Sequence, residues 1–396
     1  MWGLYENSFS FLTMRVLHIL PSFGVGGAEQ LAGHLMMGLA GYVEIGGVSL
    51  FAAANSPIEE KLLNRRLPLW HLGKHPGFDA RMYPRLDRVL REFQPHVLHT
   101  HMSVLRYVLP VALRRRVGAV IHTLHSLAQH ETDAFGLMLN RVAFRKTVLA
   151  VSISHQVAES YRRFYGLAPQ ALVLNGIPVE EYRSDKRDRA RWRMQEGFGA
   201  GDILFTSVGR LESVKNPFLP LEAFAALADS RSHLVFLGAG DLRAPLLDFI
   251  RSRGLQHRIH LLGKRHDVAD CLAASDVFVM GSNWEGNPLS VMEAMAAGLP
   301  VIATAVGGIP ELVDNQRTGI LIPSGDRTAM TAAMARLIAQ PEQRAAMGQA
   351  ASARAIASFG FDKMAQGYLH VYRQALSKNP AGSYAAKPNL EVNSCE

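Results

Sequence analysis

Cysteine is nearly absent from this chain of 396 residues, which contains only Cys271 and Cys395. Two thiols, one in a helical pattern and one beside the C-terminal residue, cannot form a disulfide framework or a cysteine-based zinc site. The sequence therefore excludes a disulfide-stabilised secreted scaffold and favours a reducing, cytoplasmic setting.

Long apolar runs are absent as well. No uninterrupted apolar stretch reaches the ~20 residues that a membrane-spanning helix needs, and the N-terminus lacks the basic, apolar and small-residue order of a signal peptide. Charged residues make up 19% and hydrophobic residues 48% of the chain. That balance is typical of globular domains and argues against disorder.

What the sequence does contain is an alternation of apolar strand-like runs with helical patterns. This alternation predicts an α/β fold with parallel sheets covered by helices, and the length predicts two domains. The predicted strands are residues 15–21, 48–52, 97–100, 120–124, 147–152 and 171–174 in a first series, and 203–209, 233–237, 259–262, 277–280 and 301–303 in a second.

A highly charged stretch with few apolar residues separates the two series, and such a composition is typical of an interdomain linker. The predicted division is an N-terminal extension over 1–13, a first domain over 14–180, a linker over 181–202, a second domain over 203–377 and a disordered tail over 378–396. We expect the last helix to pack back on the first domain.

The richest motif is the run WEGNPLSVMEAMAAGLP at residues 284–300. It predicts a Gly/Asn/Pro loop followed by a helix over 289–297, whose free N-terminal N–H groups suit a phosphate. An ionised carboxylate accepts two hydrogen bonds, so Glu293 in this helix suits a ribose diol and Glu285 in the loop suits sugar hydroxyls. The candidate binding residues of this run are Glu285, Gly286, Asn287, Pro288, Leu289, Ser290 and Glu293.

A second motif, VGRLESVKNP at residues 208–217, ends the first strand of the second series. Arg210 offers a planar fork and Lys215 a point charge. Taken alone, Arg-x4-Lys is a common surface pair and indicates no particular ligand.

These two segments resemble the Glu-x7-Glu and Gly-Arg-x4-Lys segments of glycosyltransferase family 4, whose members have the GT-B fold of two facing Rossmann-like domains with a cleft between them. The flanking runs SDVFV at 275–279, PVIAT at 300–304 and VGGIPELV at 306–313 match the family as well. The resemblance covers about residues 15–375. It implies a retaining transfer of a hexosyl unit from a UDP- or GDP-sugar, with no metal and no cofactor beyond the nucleotide sugar.

The resemblance also implies roles for particular residues. Glu285 positions the donor sugar, Glu293 binds the ribose, and Arg210 and Lys215 hold the diphosphate. The loop that contains Lys264 holds the nucleotide base. The family's Gly-Gly-Ala-Glu loop matches at Gly26 and Gly27, toward the diphosphate or the acceptor. Gly238 and Gly240 suggest a chain reversal only.

Histidines follow two predicted strands of the first series: His99 and His101 end one, and His122 and His125 end the next. His125 matches the family's strand-end histidine near the anomeric carbon, which makes it a catalytic candidate beside Glu285, Arg210 and Lys215. His-x-His spacing is also compatible with a metal, but no carboxylate or cysteine completes such a site in sequence. We expect no metal.

The net charge of +8 indicates anionic partners. Beyond bulk charge no basic-aromatic array indicates nucleic acid. Residues 81–91 and the cluster 114–116 combine basic and apolar positions, so a peripheral contact of the N-terminal domain with the inner face of the membrane is a hypothesis. The expected acceptor is a sugar, a glycolipid or a polyprenyl-linked glycan, in polysaccharide, lipopolysaccharide or glycolipid biosynthesis.

Three alternatives stay open at this point. One is another GT-B enzyme such as a nucleotide-sugar epimerase. The second is an NAD-dependent oxidoreductase, which the first glycine loop argues against, because Glu29 stands where the third glycine of Gly-x-Gly-x-x-Gly belongs. The third is a non-catalytic nucleotide-sugar-binding protein, which the intact glutamates and cations argue against.

Overall fold

The computed structural model describes residues 14–128, 133–184 and 187–377. The expected extension over 1–13 and the expected tail over 378–396 lie outside the described residues. The chain divides into two units: the first comprises the described residues up to Gly176 together with those from Phe361 onward, and the second is Ile177–Gly360.

The first unit is built on a seven-stranded parallel sheet with strand order β3-β2-β1-β4-β5-β6-β7. Its strands are β1 (Arg15–Leu20), β2 (Glu44–Ser49), β3 (Leu69–His71), β4 (Val97–His101), β5 (Ala119–Leu124), β6 (Leu149–Ser152) and β7 (Ala171–Leu172). Its helices are α1 (Gly27–Leu39), α2 (Pro57–Asn64), α3 (Met82–Phe93), α4 (Leu105–Arg115), α5 (Ala134–Lys146), α6 (His155–Tyr165) and the last helix of the chain, α16 (Phe361–Ser377).

The second unit contains a six-stranded parallel sheet with strand order β10-β9-β8-β11-β12-β13. Its strands are β8 (Ile203–Val208), β9 (Ser232–Leu237), β10 (Ile259–Gly263), β11 (Val277–Met280), β12 (Val301–Thr304) and β13 (Gly319–Ile322). Its helices are α7 (Val179–Tyr182), α8 (Arg189–Glu196), α9 (Phe218–Ala225), α10 (Arg243–Ser252), α11 (Val268–Ala274), α12 (Leu289–Ala296), α13 (Ile309–Leu312), α14 (Arg327–Ala339) and α15 (Pro341–Ser358).

The central strands are buried on both faces, which is why they appear in the sequence as continuous apolar runs. All four residues of β11 are buried. Phe205 and Phe236 pack with Phe224 of α9 and Met334 of α14 in one hydrophobic cluster of the second unit. This burial fixes the sheet and thereby the positions where its strands end.

Two kinds of strand escape the sequence pattern. Strand β2 occupies Glu44–Ser49 and not the predicted 48–52, because Gly46 and Gly47 pack inside it and interrupt the apolar run. Strands β3 and β13 are not predicted at all. The first has only three residues, and the second opens with Gly319, where a Cβ would lie 2.2 Å from the carbonyl oxygen of Val301.

The segment 181–202 differs from the linker that its charge predicts. Helix α8 belongs to the second unit, and its Trp192 and Arg193 are buried. Arg193 donates to Asp276 Oδ2 at 2.6 Å, and Arg189 donates to Asp276 Oδ1 at 2.6 Å. The charges that resemble a solvated connection are therefore paired within a folded unit, and the division of the chain lies at Gly176 instead of residue 180.

Helix α16 belongs to the first unit, although more than 180 residues of the second unit precede it in the chain. Gly38 of α1 lies against Phe361, and Gly367 of α16 lies against Val173; a Cβ at either glycine would come within 3 Å of these side chains. The glycines thus allow α16 to pack closely against the rest of the first unit. Among the described helices, none has the length and hydropathy that crossing a bilayer requires.

Candidate functional site

The strand order reverses at one point in each sheet, between β1 and β4 in the first unit and between β8 and β11 in the second. In open parallel sheets, ligands bind outside the carboxyl ends of the strands at such a switch point. The loops that follow β1, β4, β8 and β11 are therefore the structural candidates for binding. Gly26, Lys215 and Glu285 lie in such loops, and His125 follows β5, the neighbour of β4. Lys264 instead follows β10, at the edge of the second sheet.

The switch point of the second unit holds a partly buried ion pair. Lys215 Nζ donates to Glu285 Oε1 at 2.7 Å and to Oε2 at 2.8 Å, and Ser282 Oγ donates to Oε1 at 2.6 Å. The side chain of Glu285 is 7% exposed and that of Lys215 is 25% exposed. A carboxylate held by a cation and a hydroxyl in this way is fixed in orientation and charge.

Close backbone packing explains the two glycines in the turn that follows β12. Gly307 has φ +59, and a Cβ there would lie 1.7 Å from the carbonyl oxygen of Glu285. The Gly308 N–H donates to the Gly286 carbonyl at 2.9 Å. The turn after β12 therefore fits closely against the loop that contains Glu285.

The Arg210 loop is supported in the same manner. A Cβ at Gly238 would lie 1.9 Å from the Gly209 carbonyl oxygen, and one at Gly240 would lie 2.3 Å from that of Leu211. Gly238 and Gly240, for which the sequence suggests only a chain reversal, thus admit the backbone on either side of Arg210. Asn283 holds the next turn by donating from its side chain to the Ser213 carbonyl at 2.8 Å.

Glu293 lies in an environment different from that of Glu285. The Tyr182 hydroxyl donates to Glu293 Oε1 at 3.1 Å. Burial raises the pKa of Glu293 to about 7, against a smaller lowering by the Tyr182 hydrogen bond. Burial and the charge of Glu293 also raise the pKa of Tyr182 well above its usual value. The pKa of Glu293 therefore lies near neutrality. Its hydrogen-bond donor is the hydroxyl of Tyr182, a group that a ligand hydroxyl can replace.

The remaining predicted residues of the second unit differ in exposure. Gly286, Asn287, Pro288 and Leu289 are buried and lead into the first turn of α12, where Ser290 is half-buried. Arg210 is exposed and donates to Glu212 Oε1 at 2.8 Å. Lys264 is exposed and follows Gly263, which has φ +73. The structure thus brings Lys215 and Glu285 into contact and leaves Arg210 on a different partner.

In the first unit, the loop after β1 leads into α1, with Gly26, which has no side chain of its own to cap the helix, as the N-cap residue. Gly26 has φ −74, and a Cβ at Gly27 would meet nothing within 4 Å. Neither glycine is required by a positive φ or by a backbone contact. The space beside Gly27 and the N–H groups at the start of this helix suit an anion.

His125 follows β5 and joins a buried set of histidines. His125 Nε2 lies 2.9 Å from His101 Nδ1, and His101 Nε2 lies 3.0 Å from His18 Nδ1. Burial lowers the pKa of both His18 and His125 to about 3. Burial, together with neighbouring imidazoles, holds the pKa of His101 well below its usual range. These side chains are therefore neutral near pH 7.

Three of these histidines are also spaced like metal ligands. Candidate ligand nitrogens of His18, His99 and His101 all lie within 4.8 Å of one another. Both nitrogens of His99 already have partners, the Tyr372 hydroxyl at 2.7 Å and Thr123 Oγ1 at 2.7 Å. His18 and His101 contact each other directly, so a metal ion would have to break several buried hydrogen bonds. We assign no metal to this cluster.

Sequence reasoning missed several contributors to both switch points. His18, Tyr182, Tyr368 and Tyr372 lie far in the chain from the residues they contact. Ser282 contacts Glu285 from only three positions away but precedes the motif. His18 and Tyr182 belong to no motif, and the tyrosines resemble ordinary core positions of an amphipathic helix. Only the fold brings them to the candidate residues.

Comparison with known proteins agrees with this fold. The model for "Glycosyltransferase Family 4" matches residues 25–181, and the model for "Glycosyl transferases group 1" matches residues 188–354. Together they span most of both units. The chain belongs to this family of glycosyltransferases, and its two parallel-sheet domains are those of a GT-B enzyme.

The relatives fit this assignment. The chain is 25% identical to N-acetyl-alpha-D-glucosaminyl L-malate synthase of Bacillus anthracis over 78% of this chain and 82% of that protein. It is 28% identical to the UDP-Gal:alpha-D-GlcNAc-diphosphoundecaprenol alpha-1,3-galactosyltransferase of Escherichia coli, over 65% and 70% respectively. The crystal structure of Anabaena HepE with UDP and glucose superposes with a TM-score of 0.81 at 20% identity, over 91% of this chain and 100% of that one. The protein is a glycosyltransferase.

Proposed function

We propose that this enzyme transfers a hexosyl unit from a UDP- or GDP-sugar to an acceptor hydroxyl with retention of the anomeric configuration. The observation that carries the proposal is the Lys215–Glu285–Ser282 arrangement at the switch point of the second sheet. A fixed ammonium stabilises the charge that develops on a departing diphosphate. The same contact orients Glu285 for the hydroxyls of the donor sugar.

Glu293 and Arg210 complete the donor site in this proposal. Ribose hydroxyls replace the Tyr182 hydroxyl as donors to Glu293, and Arg210 exchanges Glu212 for phosphate oxygens. Gly26 and Gly27 accommodate the diphosphate or the acceptor, and the Lys264 loop takes the base. His125 supports the anomeric centre. A uracil base is supported by the UDP-Gal in the name of the Escherichia coli relative and by the UDP bound to HepE.

Bond making and breaking balance without a protein base. The C1–O bond to the diphosphate breaks as the acceptor oxygen attacks C1 from the same face. The leaving phosphate oxygen takes the acceptor proton, so the products are the glycoside and the nucleotide diphosphate. The metal is dispensable in this proposal because Lys215 and Arg210 supply the positive charge.

We further propose a lipid-linked or glycolipid acceptor, in polysaccharide, lipopolysaccharide or glycolipid synthesis at the cytoplasmic face of a membrane. Helix α3, the first candidate for membrane contact, has its apolar residues Met82, Leu86, Val89, Leu90 and Phe93 buried in the first unit. Its Arg91 and the neighbouring Arg115 both pair with Asp87, with nitrogen–oxygen distances of 3.5 Å and 2.6 Å. Helix α3 therefore has no apolar face left for lipid.

Helix α5 fits that role better. Phe135, Met138 and Val142 lie one turn apart along the helix and are 59%, 62% and 54% exposed. The exposed Arg141, Arg145 and Lys146 accompany them. An apolar stripe accompanied by cations is suited to the surface of an anionic bilayer.

Donor turnover tests the main proposal. Release of UDP or GDP is measured over a panel of UDP- and GDP-hexoses, for the wild type and for Glu293→Ala. We expect one sugar nucleotide to be consumed and its turnover to fall strongly in the variant. Arg251→Ala, on the exposed face of α10, is the control and should match the wild type. Equal turnover by Glu293→Ala and wild type would remove Glu293 from the donor site.

Vesicle flotation tests the membrane proposal separately. The variant Phe135→Ser with Met138→Ser should lose binding to vesicles that contain phosphatidylglycerol. Arg88→Ala, an exposed change on α3, should retain it. Absence of wild-type flotation at low salt would remove the membrane contact and leave the transfer reaction untouched.

A further inference from the structure

A continuous chain of seven polar side chains crosses the interior of the first unit. It begins with the contacts His125–His101 at 2.9 Å and His101–His18 at 3.0 Å. His18 Nε2 then lies 3.5 Å from the Tyr372 hydroxyl, which lies 2.7 Å from His99 Nδ1. The chain ends with the contacts His99–Thr123 and Thr123–Tyr368, each 2.7 Å long.

Every member of this chain carries one hydrogen that it can donate. Burial lowers the pKa values of the four histidines, so each is a neutral imidazole with one N–H. The two tyrosines have raised pKa values and, like the threonine, keep their O–H. Seven groups thus hold seven hydrogens, while the chain has only six contacts to fill.

If each contact is filled by one hydrogen, the seventh must leave the chain at one of its two ends. At one end it would be the Tyr368 O–H pointing away from Thr123. Tyr368 is 1% exposed, and among the described residues Thr123 Oγ1 is its one hydrogen-bond partner. A buried O–H without an acceptor is unfavourable, whereas a hydroxyl oxygen that accepts no hydrogen bond is tolerated much better.

At the other end, the hydrogen would be the N–H at Nδ1 of His125. His125 is partly exposed, so this N–H can reach water or a ligand. The two ends are therefore unequal, and the inequality determines the direction of the entire chain.

We propose that the buried chain from Tyr368 to His101 fixes His125 as the Nδ1–H tautomer, with Nε2 accepting a hydrogen bond from His101. His101, His18, Tyr372 and the other members are positioning residues that act through His125. The proposal rests on the proposed function for one point only, that His125 faces the donor sugar. There, His125 donates a hydrogen bond to a sugar or phosphate oxygen and does not serve as a proton acceptor.

A long-range 1H–15N correlation spectrum of the full chain, labelled with 15N-histidine, reads the tautomer directly. The signals of His125 are identified by their loss in His125→Asn. We expect a protonated Nδ1 and an unprotonated Nε2 in the free enzyme. A protonated Nε2, or an imidazolium near pH 7, would overturn the proposal. This measurement does not depend on any activity.

Two variants of chain members test the comparison between the number of hydrogens and the number of contacts. Tyr372→Phe interrupts the chain at its longest contact, but the fragment that contains His125 still has one hydrogen more than contacts, so the Nδ1–H form should persist. His101→Phe removes the donor to Nε2, and the Nε2–H form should become populated. An unchanged His125 tautomer in folded His101→Phe, or its loss in Tyr372→Phe, would contradict the mechanism; where His101→Phe does not fold, the wild-type spectrum decides.

Amide substitutions test the donor role. The asparagine amide approximates the position of Nδ1 and the glutamine amide that of Nε2. His125→Asn should therefore retain more donor turnover than His125→Gln, through kcat more than through KM. The reverse order would refute an Nδ1–H donor. If even the wild type consumed no sugar nucleotide, the proposed function would fail while the tautomer assignment stood on its spectrum.

Discussion

The two sheets place opposite chemistries at equivalent points of the same strand order. The switch point of the first unit is lined by neutral groups, with His18, His101 and His125 hydrogen-bonded in series. That of the second unit contains a full charge pair, Lys215 with Glu285, and a carboxylate with a pKa of about 7, Glu293. The same fold thus supports orientation of a hydrogen-bond donor in one unit and fixed charge in the other.

This difference predicts how the stability of each unit depends on pH. Histidines with lowered pKa values favour the folded state while they are neutral, and a buried glutamate with a raised pKa favours it while it is protonated. Acid therefore weakens the first unit through its four buried histidines, whereas base weakens the second through Glu293. The second unit has an acid sensitivity of its own through His260 and Asp267, whose pKa values are lowered to about 4 and about 2. The following experiments probe this contrast, beginning with the largest expected effect.

Acid should open the first unit before the second. Folded-state pKa values of about 3 for His18 and His125 lie below the ordinary 6.5. Their contribution to stability is complete above pH 6.5 and is lost progressively as the pH falls toward 3. Hydrogen exchange at pH 4.5, read by mass spectrometry, should show loss of protection in β1, β4 and β5 first. Earlier exchange in β8 and β11 would contradict the contrast.

Removing Lys215, the cation of the ion pair at the second switch point, should abolish most of the activity. In the proposed mechanism, Lys215→Ala leaves Glu285 without its cation and the departing diphosphate without one of its two fixed positive charges. We expect kcat to fall by about 100-fold or more, the magnitude typical of losing one group that stabilises the transition state. Steady-state release of the nucleotide diphosphate measures this. Arg251→Ala is the matched cationic control, and a similar decrease in that variant would show the effect to be non-specific.

The stability of the loop that contains Glu285 should also depend on Gly307, which packs against it. Gly307→Ala requires φ +59 and brings a Cβ to 1.7 Å from the Glu285 carbonyl oxygen, so it should lower the free energy of unfolding by about 3 kcal/mol. Gly325→Ala also requires a positive φ of +76 but meets nothing within 4 Å. It should cost about 1 kcal/mol. Urea titration of both variants measures their free energies of unfolding. The difference between them separates the cost of the positive φ from the cost of the contact between the new Cβ and the Glu285 carbonyl. Equal losses of stability in the two variants would refute the packing role of Gly307.

Glu293→Gln should change stability less than Gly307→Ala does, and in the direction that favours the variant. Burial raises its pKa from 4.5 to about 7 in the folded state. The folded protein then binds more protons than the unfolded chain between these values, so its stability falls as the pH rises through that window. Glu293→Gln removes the penalty and should be more stable than the wild type by about 2 kcal/mol at pH 8. The gain should vanish at pH 4.5, as thermal melts at both pH values would reveal.

Some of this contrast is readable in the sequence. The run 284–300 predicts a loop and a helix, and the structure has a loop after β11 and helix α12 there. The run 208–217 is predicted to end a strand, and it begins at the last residue of β8. The expectation of two parallel α/β domains is confirmed. The predicted linker over 181–202 is part of the second unit instead, because Arg189 and Arg193 of helix α8 form ion pairs with Asp276. Composition alone does not distinguish a solvated charge from a paired one.

The sequence by itself determined the class of fold, the family and the residues that carry charge at the second switch point. Apolar runs and local glycine, proline and glutamate patterns encode these features, because each depends on neighbours close in the chain. Only the tertiary structure decided which partners those residues have. Tyr372 contacts His99 across 273 positions of sequence, and Tyr182 contacts Glu293 across 111. Hydrogen-bond direction and pKa depend on such distant contacts and on burial, so they emerge only when the chain has folded.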